Sequence, residues 1–422
     1  VGISPMNRRA ISRRRGRVCA AFSALALAAL SPLSTAAPSG TAPAQSAGLP
    51  DAAVPLDSPD GGVSIDLVGI SDLHGYIETT FHKNPETGEV DLNNVENPGV
   101  TSLACHLSRA YRANPNALFV SSGDNIGSSY YLSSYMDDEG TLDVLERFRM
   151  DVSALGVHEL DHGLGDLEGR VLPYATFPIL AVNVSGSDAL SAEGDGRGVF
   201  IKEVDGVRVG FIGVVTDELP KLISSSTRAH LTVAPAVATA NARAAELKDG
   251  DPANGEADVV VVLSHEDAAS TATGFSKNVD AVVAGRSHVS YAQTVTGVEG
   301  NEIAVVQPDH YGLNLGMIRL NYDRDTKKVS VVNVENRDLR QEYCHENDFG
   351  GVNIFSYKRY NKMMDLGAAR AVAQLGTDYL RGSDGVTPGA HTGTESTAAD
   401  LVADHGAYMA VYSSTKSALL HY

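Results

Sequence analysis

Five short apolar runs, each ending in a turn that sets an acid or a histidine beside glycine or serine, narrow what this chain can fold into more than any other feature. Residues 64–70 (SIDLVGI) lead into Ser71-Asp72-Leu73-His74-Gly75, and residues 117–122 (ALFVSS) into Gly123-Asp124-Asn125. Residues 151–155 (DVSAL) precede Gly156-Val157-His158-Glu159-Leu160-Asp161. The last two runs, 259–263 (VVVVL) and 279–283 (VDAVV), open into Ser264-His265-Glu266 and Ala284-Gly285-Arg286-Ser287-His288. FPILAVNV (177–184) and IAVVQ (303–307) add further strands, while residues 100–113, 132–148 and 234–248 carry helical spacing. Short strands alternating with helices predict an α/β layered core. In such sheets ligands are gathered by the loops at the carboxyl ends of strands.

Two hairpins interrupt the alternation. Asp205-Gly206 stands between alternating residues of 198–215, and a second hairpin is expected over 316–334. A length of 422 residues predicts two or three domains, and 43% hydrophobic residues supply enough core to exclude wholesale disorder.

Charge bears on partners. The chain carries 52 acidic against 33 basic residues, a formal charge of -19, and Arg8, Arg9, Arg13, Arg14, Arg15 and Arg17 crowd its start. A body this acidic repels phosphate backbones and anionic lipid, which argues against a nucleic-acid or membrane-surface binder. An anionic substrate needs a local cation. The arginines are followed by an apolar run, 18–30, too short to span a bilayer, and then by small residues up to Ala37. This layout predicts a signal peptide over 1–37, then a flexible linker over 38–62. The expected localisation is secreted or cell-envelope, with no stable membrane insertion after cleavage. Of three cysteines, Cys19 falls in the signal; for Cys105 and Cys344 the sequence gives no bridging geometry.

An Asp-x-His by itself is a weak signal. Five strand-end loops in order are a strong one, because carboxylates and neutral imidazoles are the ligands favoured by divalent Mn, Fe and Zn. They predict a metal site at one sheet edge.

These loops resemble the calcineurin-like metallophosphoesterases, in particular the secreted bacterial 5′-nucleotidase branch, over residues 65–307. The resemblance implies a four-layer α/β/β/α sandwich over 63–335. Residues 336–422 are expected to hold a connector helix, read from the mixed stretch 355–380, and the truncated start of the 5′-nucleotidase C-terminal domain, which TESTAADLVAD at 394–404 resembles. The resemblance makes Asp72, His74 and His288 ligands of a first metal, Asp124 a bridge, and His265 a ligand of a second. His158 with Asp161 resembles the pair that stabilises phosphoryl charge and helps the leaving group depart. Two positions depart from the pattern: Val157 stands where the family has Asn, and Arg286 where it has His. Neither side chain can coordinate. Arg286 is expected to pair with Asp124 and to clamp phosphate; Asn125 reads as a phosphate contact or a plain turn residue.

The expected cofactor is a divalent metal of Mn, Fe, Zn or Mg type, one ion firmly bound and the second site compromised. The expected activity is hydrolysis of a small phosphomonoester such as a nucleotide. The alternative is a catalytically impaired paralogue acting as a secreted metal- or ligand-binding protein. The remaining histidines read as bystanders, with His310 and His162 set apart, His310 because it follows IAVVQ in a strand-end loop. Tyr130 and Tyr131 read as pocket lining or packing, and the acidic run 137–139 as a solvated loop without calcium-ligand spacing. The sequence leaves the oligomeric state open.

Overall fold

The computed structural model describes residues 62–341. The expected signal 1–37, the linker up to residue 61 and everything after 341, including the connector helix, lie outside the described residues.

The strands run in chain order as β1 Val63–Ile70, β2 Thr80–Lys83, β3 Val90–Asn97, β4 Leu118–Ser121, β5 Met150–Ala154, β6 Ile179–Leu180, β7 Val184–Ser185 and β8 Val199–Val204. They continue as β9 Val207–Val215, β10 Thr232–Val233, β11 Val259–His265, β12 Ala281–Ala284, β13 Ser290–Thr296, β14 Glu302–Pro308, β15 Asn314–Asp323 and β16 Lys328–Asp338. Two six-stranded sheets result, ordered β16-β15-β1-β4-β5-β6 and β13-β14-β12-β11-β9-β8. Each has a parallel centre. In the first, β1, β4, β5 and β6 are parallel, with the β15–β16 hairpin antiparallel at the β1 side. In the second, β9, β11, β12 and β14 are parallel, and β8 and β13 close the two edges antiparallel.

The runs look uniformly apolar because the central strands are buried on both faces. Val259, Val261 and Leu263 of β11 join Leu67, Val120, Val152 and Phe211 in a core shared by the two sheets. Val260 and Val262, pointing the other way, pack on Ala240 and Ala244 of the helix Ala236–Glu246. On the far side, Val68 and Phe119 meet Leu103 and Leu107 of α1, Gly99–Ala113. The order is therefore helix, sheet, sheet, helix, the expected sandwich. Cys105, on α1, is disulfide-bonded; the other two cysteines lie outside the described residues.

Three expectations are corrected. The helix read over 132–148 is broken into α2, Tyr131–Ser134, and α3, Glu139–Arg147, because Asp137 and Asp138 adopt left-handed backbone at φ 50° and 63°. Asp138 is not a solvated loop residue either. It is buried, and its carboxylate accepts from the Gly127 N–H at 3.0 Å and the Ser133 hydroxyl at 2.5 Å. FPILAVNV is split between β6 and β7, which pair in different sheets. The hairpins at 205–206 and in 314–338 are present as expected.

Candidate metal centre

The strand-end loops converge. Asp72 and His74 follow β1, Asp124 follows β4, His158 and Asp161 follow β5, His265 ends β11, and Arg286 and His288 follow β12. All lie at carboxyl ends of parallel strands, drawn from both sheets.

Two groups of side chains stand close enough to share a cation: Asp72, His74 and His288 in one, Asp72, Asp124 and His265 in the other, with the donor atoms of each within 4.8 Å of one another. Asp72 belongs to both. Asp124 Oδ2 lies 2.9 Å from His265 Nε2 and 3.9 Å from His74 Nε2, so this carboxylate too stands between the histidines.

Backbone geometry makes this crowding feasible. Asp72, His74, Asp124, Arg286 and His288 all have left-handed φ, between 46° and 74°, an uncommon conformation for side-chain-bearing residues that clusters at functional sites. A Cβ at Gly156 would collide with the Asp124 carboxylate, and this position requires glycine for that reason. The Asp72 carboxylate accepts from the Ser71 hydroxyl and from the Arg286 N–H at 3.1 and 3.0 Å.

The imidazoles are oriented by their second nitrogens. His74 Nδ1 meets the Gly127 carbonyl at 2.7 Å, and His265 Nδ1 the Ser122 carbonyl at 3.0 Å. A carbonyl only accepts, so each Nδ1 carries the proton and each Nε2 is left for the centre, the usual arrangement behind metal-ligating histidines. Burial holds the His74 pKa below its ordinary value. Burial also works against charge on His265, but Asp124 beside it prevails and raises its pKa to about 10. The same pairing holds Asp124 low in spite of its own burial. Yet His265 Nε2, though paired in charge with Asp124 at 2.9 Å, is a buried nitrogen that satisfies no hydrogen-bond geometry. That misfit, the shared carboxylates and the N/O donor set fit a divalent cation.

His158 and Asp161 form the expected pair. His158 Nδ1 lies 3.0 Å from both Asp161 oxygens, its ring stands edge-on 5.1 Å from His74, and the bond to Asp161 raises its pKa. The His158 N–H also donates to Asp124 Oδ1 at 2.7 Å. His288, its Nε2 3.5 Å from Asp72, is raised by that carboxylate.

Two expected side chains go elsewhere. The Arg286 guanidinium does not pair with Asp124; it turns to Glu218 and, at 3.4 Å, to Glu266. Its left-handed backbone spends the N–H on Asp72 and aims the side chain across the cleft mouth. Asn125 is buried in its turn, bonded to the Ser121 hydroxyl at 2.7 Å and the Ser153 hydroxyl at 2.8 Å. Val157 is buried beside the centre and, with His74, Asp124, His158 and Arg286, lines a cleft of about 410 Å³.

Glu159 carries no role that its sequence pattern announces, and the structure gives it one. Its buried carboxyl accepts three backbone N–H groups, from Gly156 at 2.8 Å, Asn125 at 2.9 Å and Asp124 at 3.1 Å, which ties two strand-end loops together. Burial and the nearby Asp124 push its pKa up to about 8. An acid one residue past a histidine, in a turn rich in free N–H groups, was the available signal.

With this geometry in place, the comparisons decide the kinship. A calcineurin-like phosphoesterase of known structure, YfkN of Bacillus subtilis, superposes with a TM-score of 0.53 at 21% identity, over 69% of this chain and 96% of that one. The human 5′-nucleotidase is 24% identical over 296 residues, 64% of this chain and 48% of that protein. The chain is related to the 5′-nucleotidase branch of the calcineurin-like phosphoesterases. The cell wall protein Lmo0130 of Listeria monocytogenes is 32% identical over 235 residues, half of this chain and 28% of its own length. The chain thus spans less than half the length of either curated relative. No protein-family model matches it. Among the described residues no helix is long and apolar enough to cross a membrane.

Proposed function

We propose that this chain is an exported, metal-dependent phosphoesterase of 5′-nucleotidase type that hydrolyses a small phosphomonoester such as a nucleotide. One observation carries the reading: loops from both sheets bring three imidazoles and two carboxylates into two adjoining ligand groups that share Asp72. Asp72, His74 and His288 are the residues that would hold one firmly bound ion; Asp124 and His265 are what is left of a second subsite. A divalent cation bound there supplies positive charge that offsets charge developing on phosphoryl oxygens.

The chain's own residues do the remaining work. Asp161 fixes His158 and favours its protonated form, which suits it to hand a proton to a departing oxygen. Glu159 fixes the turn that carries Asp124. Val157 offers no lone pair, and Arg286 is held by two carboxylates, so the second subsite lacks two donors that the family pattern places there. The reading therefore includes a stoichiometry of one ion. An N-terminal segment of signal-peptide pattern supports export to the cell envelope or beyond.

Metal analysis of the purified chain, with hydrolysis of an aryl phosphate measured with and without Mn²⁺, tests this. Expected are one ion per chain and hydrolysis that a chelator abolishes. Bound metal without any chelator-sensitive hydrolysis would favour the second reading, a secreted binding protein on the same fold. The observation on that side is the neutralised Arg286, which brings no free positive charge to a phosphate.

A further inference from the structure

Behind His288 lies a second histidine–carboxylate pair that the proposed reaction does not use. His310 follows β14, its Nδ1 is bonded to the Asp309 carboxylate, and its ring lies flat on His288 at 4.6 Å between centroids and 8° between planes. A stacked pair of this kind favours a defined mutual orientation of the two rings.

The chain holds this arrangement against local strain. Asp309 and Tyr311 have φ of 70° and 54°, conformations that side-chain-bearing residues hold where surrounding contacts impose them. Those contacts are present. The Tyr311 N–H donates to the Asp72 carbonyl at 2.8 Å, the Asn97 amide to the Tyr311 carbonyl at 2.9 Å, and the Asn314 amide to the Asp309 carboxylate at 3.3 Å. The turn that presents His310 is thus docked on the backbone of Asp72, the residue common to both ligand groups. His288 needs such support, being the least buried member of its group, with its side chain 35% exposed and its backbone left-handed at φ 55°.

We propose that His310, held by Asp309, is a positioning residue that stacks on His288 and fixes its ring in the plane that faces Nε2 to Asp72. This rests on the metal-centre reading above. In this role His310 supplies no ligand atom and acts through His288.

Titration of the full-length chain with Mn²⁺ alone, followed by calorimetry, tests the assignment with three variants. His310→Ala removes the stack, His310→Phe keeps a flat ring without the bond to Asp309, and His310→Leu keeps volume without a flat face. The expected result is Mn²⁺ affinity weakened about tenfold or more in the Ala and Leu variants and within about threefold of wild type in the Phe variant, the scale typical of residues behind metal ligands. Should His310→Ala fail to fold, the Phe and Leu variants decide alone. Wild-type affinity in the Leu variant, or equal loss in Phe and Leu, overturns the stacking role while leaving the metal centre intact. A wild-type chain that binds no Mn²⁺ removes the metal centre and this role with it.

Discussion

The two ligand groups share Asp72 and lie side by side, yet they have had different fates. Around Asp72, His74 and His288 every donor is backed: Ser71 and Arg286 N–H on the carboxylate, Gly127 behind His74, His310 behind His288. Around Asp124 and His265 the same care is visible in Ser122 and Glu159, but the two positions that would complete the shell hold Val157 and an arginine engaged elsewhere. On the reading proposed above, the scaffold of the second subsite is in place without two of its donor side chains. Its loop geometry is set by backbone bonds and glycines, which Val157 and Arg286 do not disturb.

Substitutions can break or sharpen this contrast. Asp72→Asn strikes both groups and is expected to lower aryl phosphate hydrolysis about a thousandfold or more, on the scale of losing a principal charge-stabilising group, with bound metal falling toward zero in elemental analysis. A variant that keeps both metal and rate would dissolve the comparison altogether. His158→Ala belongs to neither group; it is expected to cost about a hundredfold in kcat with metal content unchanged, and a fall in metal instead would reassign His158 as a ligand. Combining Val157→Asn with Arg286→His should raise bound metal from one toward two ions and turnover about tenfold, a modest share of what a metal ion supplies. If both quantities stay put, those residues do not belong to the second subsite. Asp138→Ala is the mildest test. It strands the Gly127 N–H whose own carbonyl orients His74, so stability should drop by about 1–3 kcal/mol in denaturant titration, with Mn²⁺ affinity weakened at the first group only.

Much of this contrast was legible before the fold. The strand-end loops announced themselves because doubly buried strands must be continuous apolar runs and their ends must then turn polar. Val157 and Arg286 were visible as departures from the pattern of the resembled family, and their residue types show that neither can coordinate. The partners of Arg286 were not, because the left-handed backbone at 286 that turns its side chain toward Glu218 is a property of the packed loop. Strand β13, SYAQTVT, escaped notice as an edge strand with one polar face and no apolar run. The break between α2 and α3 was hidden for a related reason: a pair of aspartates in a helical pattern gives no sign that Gly127, brought close only by the fold, will claim one of them.

The seam itself carries a mechanical consequence. Asp72 on one sheet takes the Arg286 N–H from the other, Ser122 donates its hydroxyl to the Ala284 carbonyl, and His265 reaches back to Ser122. A cation seated there works as a rivet between two halves of the molecule, so starving the chain of metal should make it melt and digest more readily before any question of turnover arises.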